Sequence, residues 1–112
     1  MFRRRNGKYN AKKTECSDGT VCDSKREAAR YEQLLILQRI GDIRDLQRQV
    51  SFELVPDMKH FKIRGTTYRA DFTYVDLDGI RHVEDAKGMK TPEYKIKRKL
   101  MAWKYGILVE EV

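Results

Sequence analysis

Cysteine and proline are scarce in this sequence and long apolar runs are missing, and each shortage closes off a class of protein. Two cysteines, Cys16 and Cys22, cannot staple a disulfide-rich scaffold. With no partner pair at zinc-finger spacing they do not build a zinc site either. In a cytosolic chain they read as reduced, small packing residues. His60 and His82 stand alone in the sequence. No internal repeat or low-complexity segment divides the 112 residues, which suit one domain with a single core. No apolar stretch approaches the ~20 residues that span a bilayer. The opening Met-Phe-Arg-Arg-Arg-Asn carries charge but no apolar segment behind it, so it does not read as a secretion signal. A cytoplasmic location and no membrane partner are expected.

What the chain does have is positive charge. Lys and Arg number 24 against 17 Asp and Glu, a net +7. On a domain this small that surplus points to a polyanionic partner, with DNA the first candidate. The charge is clustered. Arg3, Arg4, Arg5, Lys8, Lys12 and Lys13 crowd the start, and Lys90, Lys95, Lys97, Arg98 and Lys99 crowd a later segment. Solvated faces explain such runs as well as phosphate contacts do. Hydrophobic residues at 40% and aromatics at 10% argue against wholesale disorder.

Residues 1–10 read as a basic flexible arm and 11–112 as a single domain. Within it, 11–22 reads as a hairpin around Asp18-Gly19, and 24–112 as the core. Ser24-Lys25-Arg26-Glu27 has the form of a capping box and opens a helix to about Ile40, with Gly41 at its end. Val50, Phe52 and Leu54 alternate with polar residues, as a strand over 43–55 requires. Asp57–Gly65 reads as a loop. A second strand over 66–75 puts Tyr68, Ala70, Phe72 and Tyr74 on one face and Thr67, Arg69, Asp71 and Thr73 on the other. After the turn Asp76-Leu77-Asp78-Gly79, a third strand over 80–87 pairs antiparallel with it. Thr91 caps a second helix with Pro92 in its first turn. Its apolar positions are Tyr94, Ile96, Leu100, Met101 and Trp103, and Gly106 closes it. Ile107-Leu108-Val109 reads as a short last strand. The fold class is α/β: α-β-β-β-α-β, with a mixed central sheet of about four strands flanked by helices.

Period-two alternation puts Val83, Asp85 and Lys87 on one side of their strand and Glu84 and Ala86 on the other. If the neighbouring strand turns Asp71 toward the same spot, two carboxylates and an ammonium converge. Two close carboxylates resist joint ionisation, and a hard divalent cation removes the conflict. Mg²⁺ takes a few carboxylate oxygens, keeps waters, and lowers the pKa of one of them. A lysine beside it suits a phosphate on which negative charge develops. Phosphodiester hydrolysis accounts for Asp, Asp and Lys together. Glu84 competes with Asp85 for the ion and loses on alternation, since Lys87 must share the ligand's face; a bulge would reverse that. Gln49 is placed to support the site from the first strand.

These residues resemble the PD-(D/E)xK nuclease superfamily, which includes many restriction endonucleases and archaeal-type Holliday-junction resolvases. Asp71 matches the first motif aspartate and Asp85-Ala86-Lys87 the (D/E)-x-K element, with Ala70 in place of the usual proline. The resemblance covers roughly residues 24–112. Ser-Lys-Arg-Glu-Ala, Arg-Ala-Asp-Phe and Val-Glu-Asp-Ala-Lys-Gly are also similar to segments of small phage and prophage proteins, which would place the chain in a bacterial host's cytoplasm. The resemblance implies a restriction-endonuclease-like core and a Mg²⁺-dependent DNA endonuclease, with Mn²⁺ as an alternative ion. Asp71 and Asp85 would be metal ligands and Lys87 would engage the phosphate or the water. Glu27, at a position where resolvase-like members carry a further glutamate, would assist, although a capping box alone explains it. A branched substrate such as a Holliday junction and a homodimer are implied by analogy. The DNA-contact candidates are Arg3, Arg4, Arg5, Lys8, Lys12, Lys13, Lys90 and Lys97, with Tyr94 beside Lys97. A nicking or sequence-specific duplex endonuclease on the same core, and a non-catalytic basic DNA-binding module, are the other readings of the same residues.

Overall fold

A serine that can cap, followed by a run of good helix formers, sets the first long element. The computed structural model describes residues 12–86 and 90–112, so Arg3, Arg4, Arg5, Lys8 and Lys87 lie outside the described residues. A short antiparallel hairpin, β1 (Thr14–Glu15) and β2 (Val21–Cys22), turns at Gly19, whose φ of 89° suits a residue without a Cβ. Helix α1 (Lys25–Arg39) follows, its first turn capped by the Ser24 hydroxyl, which accepts from the Glu27 N–H at 3.1 Å. Strands β3 (Ile43–Val55), β4 (Thr66–Asp76) and β5 (Arg81–Asp85) form an antiparallel meander. Helix α2 (Pro92–Tyr105) is capped by Thr91 and closed by Gly106 at φ 68°. It returns the chain to β6 (Glu110–Glu111), which runs parallel to β5. The four-stranded sheet, in the order β3-β4-β5-β6, is therefore mixed. None of the described helices is long and apolar enough to cross a membrane.

The sequence of elements is the expected one, but three local expectations need correction. Tyr68, Ala70, Phe72 and Tyr74 do not serve one core. Tyr68 and Ala70 pack with Val83, Met101 and Val109 against α2, whereas Phe72 and Tyr74 pack with Tyr31, Leu34 and Ile43 against α1. With a helix over each part of the sheet, Asp71 and Thr73 are buried too, and simple inside–outside alternation no longer describes β4. On α2, Tyr94, Leu100 and Met101 reach the core, but Ile96 and Trp103 are exposed. Each lies two residues beyond Tyr94 or Met101, about 200° round the helix axis, and only one face of α2 meets the sheet. The last strand falls at Glu110–Glu111 instead of 107–109. Ile107 and Val109 pack into the α2 cluster.

His82 is not isolated. Its Nε2 lies 2.7 Å from Asp76 Oδ2 and its Nδ1 2.6 Å from Glu110 Oε2, and its ring stacks on Tyr74. Two carboxylates on the two ring nitrogens favour the imidazolium, in which both nitrogens donate. Asp76, and then Glu110, hold the pKa above its ordinary 6.5 despite partial burial. The bond to Glu110 ties β6 to β5. A raised folded-state pKa means stabilisation that is complete below about pH 6.5 and fades as the pH climbs through the folded value. The thermal midpoint of the wild type should therefore exceed that of His82→Gln at about pH 6, and the gap should narrow steadily into the alkaline range. A gap independent of pH would contradict the ion-pair account.

Candidate active site

Two buried carboxylates, Glu27 and Asp71, meet at the amide of one glutamine, and a third, Asp85, stands on the strand paired with that of Asp71. Asp71, on β4, is 1% exposed and Asp85, at the end of β5, is 4% exposed. The β4–β5 register pairs Phe72 with Glu84, and one step further along the two strands stand Asp71 and Asp85. Asp71 Oδ2 accepts from the N–H of Ala86 at 2.7 Å, which places its carboxylate beside the residue that follows Asp85. Asp85 Oδ2 accepts from the Tyr68 hydroxyl at 2.8 Å. Burial, and then the Asp85 charge, push the Tyr68 phenol far up, so it stays a donor.

Glu27 comes from the first turn of α1. In a reciprocal capping box its carboxylate would turn back on the Ser24 N–H. Here it faces the sheet and accepts from Arg48 at 3.0 Å and from Gln49 Nε2 at 3.3 Å. Ser24 thus caps the helix while Glu27 is left for the site. The same Gln49 Nε2 lies 3.4 Å from Asp71 Oδ1, and its two amide hydrogens suffice for one carboxylate each. Burial, and next the charge of Asp71, raise the Glu27 pKa, against the pull of Arg48.

Gln49 itself is strained. Its φ is 55° in the middle of a strand, a left-handed conformation costing on the order of 1–2 kcal/mol in a residue with a Cβ. The sequence offered Gln49 as a support for the site from the first strand, or equally as a polar strand residue; its backbone conformation carries no sequence signal. Arg48, which reaches Glu27 and stacks over Tyr31 with its guanidinium carbon 5.5 Å from the ring centroid, was missed for the same reason.

Glu84 points away from this group, as alternation demands. Fully buried, it receives a bidentate grip from Arg30 of α1, with Nε at 2.8 Å and Nη2 at 2.6 Å, and a short hydrogen bond from Tyr74. Its role is to fasten α1 to β5, the elements that carry Glu27 and Asp85. Cys16 and Cys22 sit in the α1 core with their sulfurs 3.6 Å apart and are free thiols. Burial pushes the Cys22 thiol up to about 12, which leaves it protonated and unreactive.

The remaining DNA-contact candidates are spread out. Lys12 and Lys13 are exposed near the small hairpin, with Lys13 3.8 Å from Asp23. Lys90 pairs with Glu111 at 3.1 Å and Lys97 with Glu93 at 2.9 Å. Tyr94 tilts against Tyr68 within the core under α2, so it supports the hydroxyl that holds Asp85 and does not face outward. Among the described residues, no three His, Cys, Asp or Glu side chains form a group that would hold a metal ion. Mg²⁺ does not require one. One or two carboxylates, with waters and substrate phosphate, complete its octahedron.

One family model, described as "Protein of unknown function (DUF1064)", matches residues 6–110. No curated protein and no solved structure gives a significant match.

Proposed function

The chain belongs to the DUF1064 family, whose description names no activity, and we propose from its site that it is a divalent-metal-dependent DNA endonuclease. One observation carries the reading: Asp71, in the middle of β4, and Asp85, at the end of β5, are buried on paired strands one step past the Phe72–Glu84 pair, with Glu27 joined to Asp71 through Gln49. Buried carboxylates are costly to keep charged. Gathering three of them in a domain of net charge +7 serves no packing purpose, whereas a cation held against a polyanion uses both features. The order α1-β3-β4-β5-α2-β6 supports reading the domain as a restriction-endonuclease-like core.

In this reading Asp71 and Asp85 hold Mg²⁺, or Mn²⁺ in its place, and the ion supplies an activated water and charge stabilisation at the phosphorus. Tyr68 orients the Asp85 carboxylate by its hydrogen bond. The Ala86 N–H and the Gln49 amide orient that of Asp71. Gln49 holds Glu27 and Asp71 at a set spacing. Glu27, held by Arg48 and Gln49 beside Asp71, assists at the ion. Lys87 engages the scissile phosphate. Cutting both strands of a branched substrate in concert calls for two copies of the site, so a cytoplasmic homodimer acting on a Holliday junction belongs to the same reading.

The test is incubation of the purified chain with end-labelled duplex, flap and four-way-junction DNA, in Mg²⁺ and in EDTA. Cleavage is expected in Mg²⁺ only, fastest on the junction. Preference for plain duplex would replace the resolvase reading with a nicking or sequence-specific enzyme. Salt-sensitive binding without cutting in either buffer would leave a basic DNA-binding module.

A further inference from the structure

The connection between β3 and β4 shows more than a loop. From Lys59 to Arg64 it reads Lys-His-Phe-Lys-Ile-Arg, and all six residues are exposed. Phe61 is 72% exposed and Ile63 50%, with no acidic residue from Met58 to Gly65. These two apolar side chains stand on a tip whose backbone is hydrogen-bonded to itself. Met58 and Ile63 exchange both backbone hydrogen bonds, at 2.9 and 3.1 Å, around a 3₁₀ turn over Lys59–Phe61. Lys62 takes the left-handed conformation, φ 55°, to close it. At its base the Gly65 N–H donates to Asp57 at 2.6 Å. A Cβ on Gly65 would lie 2.2 Å from the Val55 carbonyl, so only glycine permits the close approach of the two strands. A shallow groove runs from Gly65–Thr67 to Ile96 and Lys97 on α2.

An apolar side chain held out on a hydrogen-bonded hairpin among four cationizable neighbours suits one kind of surface: a polyanion with apolar faces accessible between its charges. That describes DNA at an opened base step. We infer that the Lys59–Arg64 tip is a DNA wedge, in which Phe61 stacks into unpaired or opened bases while Lys59, Lys62 and Arg64 take the flanking phosphates. The inference rests on the reading of the protein as acting on DNA and adds the substrate feature it selects, a branch or other site of unstacked bases. The ten residues from Phe61 to Asp71 span at most about 36 Å. The wedge therefore enters within about eleven base-pair steps of the cut, at ~3.4 Å each.

The experiment measures binding in EDTA, where cutting cannot interfere. The ligands are a four-way junction with 2-aminopurine at the branch and a duplex of equal length, each followed by anisotropy and by 2-aminopurine fluorescence. The wild type should brighten the branch probe and prefer the junction. Phe61→Ala removes no packing, since the side chain is exposed, and should lose most of that brightening. It should bind the junction on the order of tenfold more weakly while its duplex affinity changes less than about twofold. Phe61→Trp should restore both readouts. Replacing Lys62 and Arg64 by Ala should weaken binding to both DNAs and lower the slope of log Kd against log salt by about two. Unchanged brightening and junction affinity in Phe61→Ala would overturn the wedge. So would a Phe61→Ala defect confined to phosphatidylserine vesicles in co-sedimentation, which would assign the tip to an anionic membrane. No binding of either DNA by the wild type would overturn the parent reading instead.

Discussion

Asp71→Asn should lower the rate of DNA cleavage by about 10³-fold or more, roughly 4 kcal/mol of transition-state stabilisation, while leaving the fold and DNA binding intact. Asparagine keeps the shape and one carbonyl oxygen, so the Ala86 N–H that Asp71 accepts at 2.7 Å keeps an acceptor. What is lost is the charge that holds the cation. Stability should hold or rise slightly, because a buried carboxylate beside Glu27 is removed and the two repel. The Glu27 carboxyl should then titrate at lower pH, since Asp71 is the second cause of its elevation after burial. Single-turnover cleavage, Tm and binding in EDTA together check this. A variant that cuts within tenfold of the wild type would remove Asp71 from the metal site.

Arg30→Ala should cost about 3–5 kcal/mol of stability, the penalty of stranding a buried charge, and lower Tm by on the order of 10–20 °C. Glu84 is fully buried and, among the described residues, Arg30 makes two of its three side-chain hydrogen bonds. Alanine leaves the carboxylate the Tyr74 hydroxyl alone among those three. The double substitution Arg30→Met with Glu84→Met removes both charges, retains volume and should recover most of the loss. Because the pair ties α1 to β5, cleavage by the single variant should also fall at temperatures well below its Tm, as Glu27 loses its fixed place over the sheet. A Tm within about 3 °C of wild type would mean that water compensates Glu84 as well as Arg30 does.

The elements were legible in the sequence because their signals are local. Ser24 and Thr91 cap, Gly41 and Gly106 stop, and 43–55 alternates. The division of labour between Glu84 and Asp85 also followed from period two alone: Glu84 turns to Arg30, Asp85 to Tyr68. The remainder depended on pairings distant in sequence. Glu27 could not be separated from its capping box without knowing that Arg48 and Gln49 stand opposite it. His82 looked solitary because Glu110 lies 28 residues away. The Arg30–Glu84 clamp spans 54 residues, and no pattern in either segment announces it. The 59–64 tip read as a loop because exposure is a tertiary property. Lys87, central to the sequence motif, lies outside the described residues, so its role rests on the motif and not on geometry.

The central claim is that Asp71 and Asp85 hold a divalent ion at which DNA is cut. The most direct measurement is the single-turnover cleavage rate of labelled junction DNA against Mg²⁺ concentration, for the wild type and for Asp85→Asn. The account predicts a rate that rises with Mg²⁺ to saturation, vanishes in EDTA, and is lost in the variant at every concentration although the variant still binds the junction. Cleavage that persists in EDTA, or an Asp85→Asn curve that overlays the wild type, would contradict it.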